Sequence, residues 1–320
     1  FNNYRDQLAQ PYLTDKEKMD KLVEEAYQRK QQLIKAEHLT IRLSRGAKPE
    51  DTVEAHNLLT SIKKAFNEGW IDVYENKGKR SGAYSASGYD SHPYILLNYN
   101  ENYSDVSTVA HEIGHAMHSY YSNKNQPYLY ADYKIFVAEV ASTLNENLLI
   151  DYMLENAESR EEKLYLLNYF LEGFRGTVYR QTMFAEFERD IHRKVEKGKP
   201  LTSELLNDIY HKLNKKYYGE KMIIDNKIDR EWARIPHFYY NFYVYKYATG
   251  FSAAAALSQK IINEGEKAVN KYLDFLKSGD SDYPLNVLKK AGVDMTSSEP
   301  ISTALGIFGD LVTELEKLSN

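Results

Sequence analysis

At 320 residues, with 42% hydrophobic and 27% charged residues and a net charge of -5, the chain has an ordinary globular balance and enough length for one large domain or two moderate ones. The absence of cysteine excludes a disulfide framework, cysteine-based metal sites and thiol nucleophiles, so any soft metal must be held by histidine and carboxylate. Charges of both signs are interspersed, which leaves no basic stripe for nucleic acid, and no apolar run reaches bilayer length.

Thr14-Asp15-Lys16-Glu17 reads as a capping box opening a helix toward Ile41. Asp51-Thr52-Val53-Glu54 repeats the signal, with Gly69 as the stop. The only convincing β region follows: an alternating run from Trp70 to Tyr74, punctuation at Gly78 and Ser81-Gly82, and a second run from Pro93 to Tyr99. The small residues of Gly82-Ala83-Tyr84 would suit an exposed strand edge. Beyond that, periodicity predicts helices over 104–121, 132–154, 159–197, 202–217, 237–264, 266–278, 283–292 and 301–319. The expected fold is mainly α, many helices with one small sheet beside them. Residues 1–66 form an N-terminal helical segment and 67–320 the chemical domain. The opening Phe1-Asn2-Asn3-Tyr4-Arg5 lacks the layout of a secretion signal, and a cysteine-free chain suits a reducing compartment, so a cytoplasmic protein is expected.

The chemistry concentrates in Thr108 to His118. Val106, Val109, Ala110, Ile113, Ala116 and Met117 recur at helical spacing, so this helix is buried on one side. His111 and His115 are four residues apart and share a face. Two imidazoles so placed can hold one zinc ion, with Glu112 beside it as general base toward water. A catalytic zinc needs one more protein ligand. No third histidine follows at metzincin spacing, since His118 stands where that pattern has glycine. Glu139 is the alternative. It lies between Val137-Ala138 and Val140-Ala141, where a carboxylate needs a cation or several hydrogen bonds. Glu146, seven residues on, is a candidate acceptor for a ligand imidazole N–H, Asp132 a weaker one, and His118 a wall residue.

These residues, His111 to His118 followed by Ala138-Glu139-Val140-Ala141-Ser142, resemble the oligoendopeptidase F family, relatives of thimet oligopeptidase. The likeness continues through Gly69 to Tyr84, Ile235-Pro236-His237-Phe238-Tyr239-Tyr240 and Asp282-Tyr283-Pro284. It covers roughly 67 to 320, with little before that beyond Phe1 to Arg5. It implies a zincin-type helical metalloendopeptidase carrying one zinc ion and cleaving short peptides, with no nucleic-acid or membrane partner. It also assigns oxyanion donation to His237 and Tyr240, with Tyr247 as a further candidate. From the residues alone, Tyr243 or Tyr245 could supply the hydroxyl. Tyrosine is abundant at 28 residues, and most are expected to pack helix rims. Gly250 and Ala253 to Ala256 read as close helix packing. His38, His56, His92, His192 and His211 are expected to be solvated. Two other readings are a zinc carboxypeptidase of related fold and a non-catalytic peptide-binding module with a structural zinc.

Overall fold

The structure is a computed structural model that describes residues 53–100 and 102–319. The helix expected from Thr14 and the cap at Asp51-Thr52 lie outside the described residues. The first described helix, α1 (Val53–Asn67), leads into strands β1 (Ile71–Asp72), β2 (Tyr84–Ala86) and β3 (Tyr94–Leu96). β3 is central, parallel to β1 with Ile71 opposite Ile95 and antiparallel to β2 with Tyr84 opposite Leu96. β2 is therefore an edge strand, as the small residues before Tyr84 suggested.

Helix α2 (Tyr103–Asn125) starts where Asn102 accepts the backbone N–H of Asp105, and Asp105 adds acid to the first turn. It stops just before Pro127, which cannot extend it. A single turn, α3 (Tyr128–Ala131), separates it from α4 (Ile135–Glu155). The helix expected from 132 thus begins three residues later, because Lys134 is extended. Helices α5 (Arg160–Phe174) and α6 (Arg180–Glu196) were expected as one. A π-helical turn, Arg175–Tyr179, joins them, with Gly173 and Gly176 close by. Next come α7 (Ser203–Tyr218), two 3₁₀ turns (Asn226–Arg234 and Pro236–Tyr239), α8 (Tyr245–Glu264), α9 (Glu266–Lys277), α10 (Pro284–Lys290) and α11 (Glu299–Ser319). The helix expected over 237–264 is a correction. Asn241 and Phe242 have φ of 45° and 56°, which breaks the backbone before α8 begins.

One core joins α1, the sheet, α2, α4, α8 and α9 through residues such as Ile62, Ile95, Met117, Leu144, Leu257 and Leu276. A second cluster joins α6 and α7 to the 3₁₀ region through Phe184, Phe187, Tyr210 and Val244. No helix among the described residues is long and apolar enough to cross a membrane.

The crossing of α2 over α4 depends on Gly114. A Cβ there would stand 2.5 Å from Ser142 Cα and 2.6 Å from the Ala141 carbonyl oxygen. These are backbone atoms that no side-chain rotation can clear. Gly114→Ala should therefore lower the melting temperature, at a cost of about 1–3 kcal/mol as for other overpacked cores. Calorimetry of the variant checks it. α8 also packs on α4 at Gly250, where a built Cβ would stand at an ordinary 3.6 Å from Glu139 Cβ, so that contact does not require glycine. Ala253 to Ala256 are buried, as close helix packing requires.

Candidate active site

The α2–α4 crossing brings His111, His115 and Glu139 to one point, the only such group among the described residues. The two Nε2 atoms are 3.2 Å apart, and Glu139 Oε2 lies 3.3 Å from that of His111 and 3.6 Å from that of His115. Three donors held about 2.0–2.1 Å from a tetrahedral zinc stand about 3.3–3.4 Å from one another. The triangle therefore fits such an ion, and two imidazoles with one carboxylate match its ligand chemistry.

The electrostatics point the same way. Burial pushes the His111 imidazolium down, but hydrogen bonds to Glu139 and Glu146 more than reverse this and hold it at about 10. Burial pushes Glu139 up, and the two histidines pull it well below the usual carboxylate range. The paired carboxylates thus favour positive charge at this point, which a divalent cation supplies. Glu112, next to His111, is only 6% exposed, and its Oε2 is buried without a hydrogen-bond partner among the described residues. Burial raises its pKa against the pull of His111 and His115. An unpartnered buried carboxylate oxygen is costly, and a water beside the ion would satisfy it.

Glu146 orients His111. Its Oε2 lies 3.2 Å from His111 Nδ1, and its Oε1 accepts a hydrogen bond from Ser107 Oγ at 3.2 Å. With Nδ1–H directed to Glu146, Nε2 is the nitrogen that would give up its proton and offer its lone pair to a bound cation. Glu146→Ala should weaken zinc binding about 10–100-fold, read by competition against a chromophoric chelator. Ser107 was not anticipated, although it sits four residues before His111 and so shares its helix face. Asp132 is a correction. It is exposed, and its Oδ1 accepts the Tyr133 N–H, a local turn contact. His118 is a wall residue, 1% exposed and stacked on Tyr133 at 3.6 Å. Burial and His115 hold it at about 3, so it is neutral.

His237 lies in an aromatic cluster, with ring centroids 5.6 Å from Tyr243 and 6.2 Å from both Tyr240 and Tyr247. Tyr247 is pushed up to about 12, chiefly by burial and by Tyr243, with a smaller contribution from the Glu139 carboxylate. Tyr240 is more open at 62% exposure. The Tyr245 ring lies 6.3 Å from that of Phe136 on α4.

The remaining histidines correct the expectation of solvated side chains. His92 stacks on Trp70 at 5.1 Å, His192 packs on Phe242 at 4.6 Å, and His211 Nδ1 is 2.7 Å from Asp229. Each partner is distant in sequence, so local polarity misled. His38 and the His56 side chain lie outside the described residues.

This helical fold is shared with known peptidases. The profile described as Peptidase family M3 matches residues 10–307, and the chain belongs to that family, among its oligoendopeptidase F members. The match begins well before residue 67, where the sequence resemblance had been placed. The chain is 59% identical over 80% of its length to oligopeptidase PepF of Bacillus subtilis, covering 38% of that protein. It is 50% identical over 80% of its length to group B oligopeptidase PepB of Streptococcus agalactiae, covering 43% of it. Among solved structures, a peptidase from Chlamydophila abortus superposes with a TM-score of 0.77 at 49% identity, over 88% of this chain and 47% of that one. Oligoendopeptidase F from Enterococcus faecium gives 0.61 at 51% identity, over 67% and 39%. The chain thus spans about two-fifths of the length of the curated relatives it matches.

Proposed function

We propose that residues 67–320 form the catalytic domain of a zinc-dependent oligoendopeptidase that hydrolyses internal bonds of short peptides. The observation that carries this reading is the donor triangle of His111, His115 and Glu139 at zinc-ligand spacing beside the unpartnered Oε2 of Glu112. Those three side chains would hold one zinc ion, which when bound supplies Lewis acidity to the scissile carbonyl and the attacking water.

Glu112 takes the proton of that water as it attacks, then delivers it to the leaving amine. The burial that raises its pKa also makes it a better base. Negative charge builds on the carbonyl oxygen, and His237 with Tyr247 or Tyr240 donates to it. Among the described residues the outer edge of β2 pairs with no further strand, and it would offer backbone N–H and C=O groups to an extended substrate. The names of the relatives, oligopeptidase and oligoendopeptidase, support a substrate of short peptides.

The test is cleavage of a quenched short peptide, with and without chelator, with product masses read from peptides of free and blocked C-terminus. Internal cuts in both peptides, lost with chelator and restored by zinc, are expected. Cuts confined to the free C-terminus would make the enzyme a carboxypeptidase. Peptide binding with no cleavage would make it a binding module.

A further inference from the structure

The turn that presents the aromatic donors is held by a residue outside the metal site. Glu188 lies on α6 between Phe187 and Arg189, on the face that carries Phe184 and Phe187 into the second core cluster. It is 1% exposed, unusual for a carboxylate, and no cation contacts it among the described residues. Its Oε1 accepts the backbone N–H of Phe242 at 2.6 Å, while its Oε2 is buried with no partner among the described residues. One turn further along α6, the His192 ring packs 4.6 Å from the Phe242 ring. Phe242 is thus gripped at its amide and at its side chain by residues four apart on one helix.

The grip falls where the backbone is least comfortable. Asn241 and Phe242 are consecutive left-handed residues, with φ of 45° and 56°, and neither is glycine. Asparagine tolerates this region, whereas a bulky aromatic adopts it at a cost. The pair reverses the chain between the 3₁₀ turn Pro236–Tyr239 and α8, returning Tyr243 to 5.6 Å from His237 and Tyr247 to 6.2 Å. The unbroken helix that the local sequence favours would point these rings elsewhere. Some contact must make up the difference, and the short hydrogen bond that the Phe242 N–H donates to buried Glu188 Oε1 is placed to do so.

We propose that Glu188 is a positioning residue: its carboxyl group clasps the Phe242 amide and so holds His237, Tyr243 and Tyr247 together at the start of α8, the helix whose Gly250 packs against Glu139. The catalytic consequence rests on the zinc-peptidase reading, whereas the clasp itself does not. The test uses the 320-residue chain and reads amide hydrogen exchange over 235–247, zinc content, melting temperature and peptide kinetics.

Glu188→Ala should speed exchange at the Phe242 amide about tenfold or more, the scale of one strong hydrogen bond. Glu188→Gln keeps an acceptor oxygen and should stay within about threefold of the parent. Asn241→Gly, which removes the left-handed cost at one position, should shrink the effect of Glu188→Ala. In kinetics, Glu188→Ala should lower kcat about tenfold to a hundredfold with KM and zinc content little changed, as misplaced catalytic donors do.

Unchanged exchange in Glu188→Ala, or Glu188→Gln exchanging as fast as Glu188→Ala, overturns the clasp. If Glu188→Ala does not fold, Glu188→Gln and the Asn241→Gly/Glu188→Ala pair decide by exchange. A parent chain with no peptidase activity would sink the functional reading while exchange still decides the clasp. An active parent with unaltered kcat in folded Glu188→Ala overturns the positioning role alone.

Discussion

Glu112→Gln should leave a folded, zinc-loaded chain that has lost nearly all turnover. The side chain is 6% exposed in the α2 face against α4, so an isosteric amide preserves the packing. What it removes is the ability to accept a proton, since an amide is not a base at any working pH. General base catalysis contributes about 10²–10⁴-fold, and the loss in kcat should be of that order or larger. Peptide affinity should hold, because the residue acts on the water. The measurement is kcat on a quenched peptide, with metal analysis and a melting curve on the same preparation. A clean variant that turns over within tenfold of the parent would end the assignment of Glu112.

Glu139→Ala should act on the metal and only through it on rate. It removes one of three donors, and it also removes the negative charge that holds a cation between two imidazoles. The loss in zinc affinity should exceed the 10–100-fold expected for an outer partner such as Glu146. At ordinary zinc levels the variant should purify largely metal-free. His111 should then lose one of the two carboxylates that raise it, so the charge balance at the α2–α4 crossing changes as well. Competition with a chromophoric chelator measures the affinity. Full zinc occupancy in the variant would take Glu139 out of the ligand set. The contrast between the two variants is itself informative. Loss of rate with metal retained marks the base, and loss of metal marks the ligand.

What the amino-acid sequence determined by itself was local. Helical periodicity around Val106 to Met117 set a half-buried helix, and four-residue spacing put His111 and His115 on one face of it. Those inferences need only the pitch of a helix. Glu139 was legible for a related reason: a carboxylate between valines and alanines must find a counter-charge or several hydrogen bonds. Tertiary structure alone decided how close α2 and α4 approach, through Gly114 against the Ala141–Ser142 backbone. It alone placed Ser107 on Glu146, His92 on Trp70 and His192 on Phe242.

It also broke the helix expected over 237–264. The tyrosine-rich run has no proline or glycine between 237 and 249 to announce a break. The left-handed pair at Asn241 and Phe242 exists because a buried glutamate more than fifty residues upstream accepts the Phe242 amide. Spacing along the chain reports contacts within one helix. A backbone turn held by a carboxylate from another helix leaves no periodic trace, and only the folded arrangement reveals it.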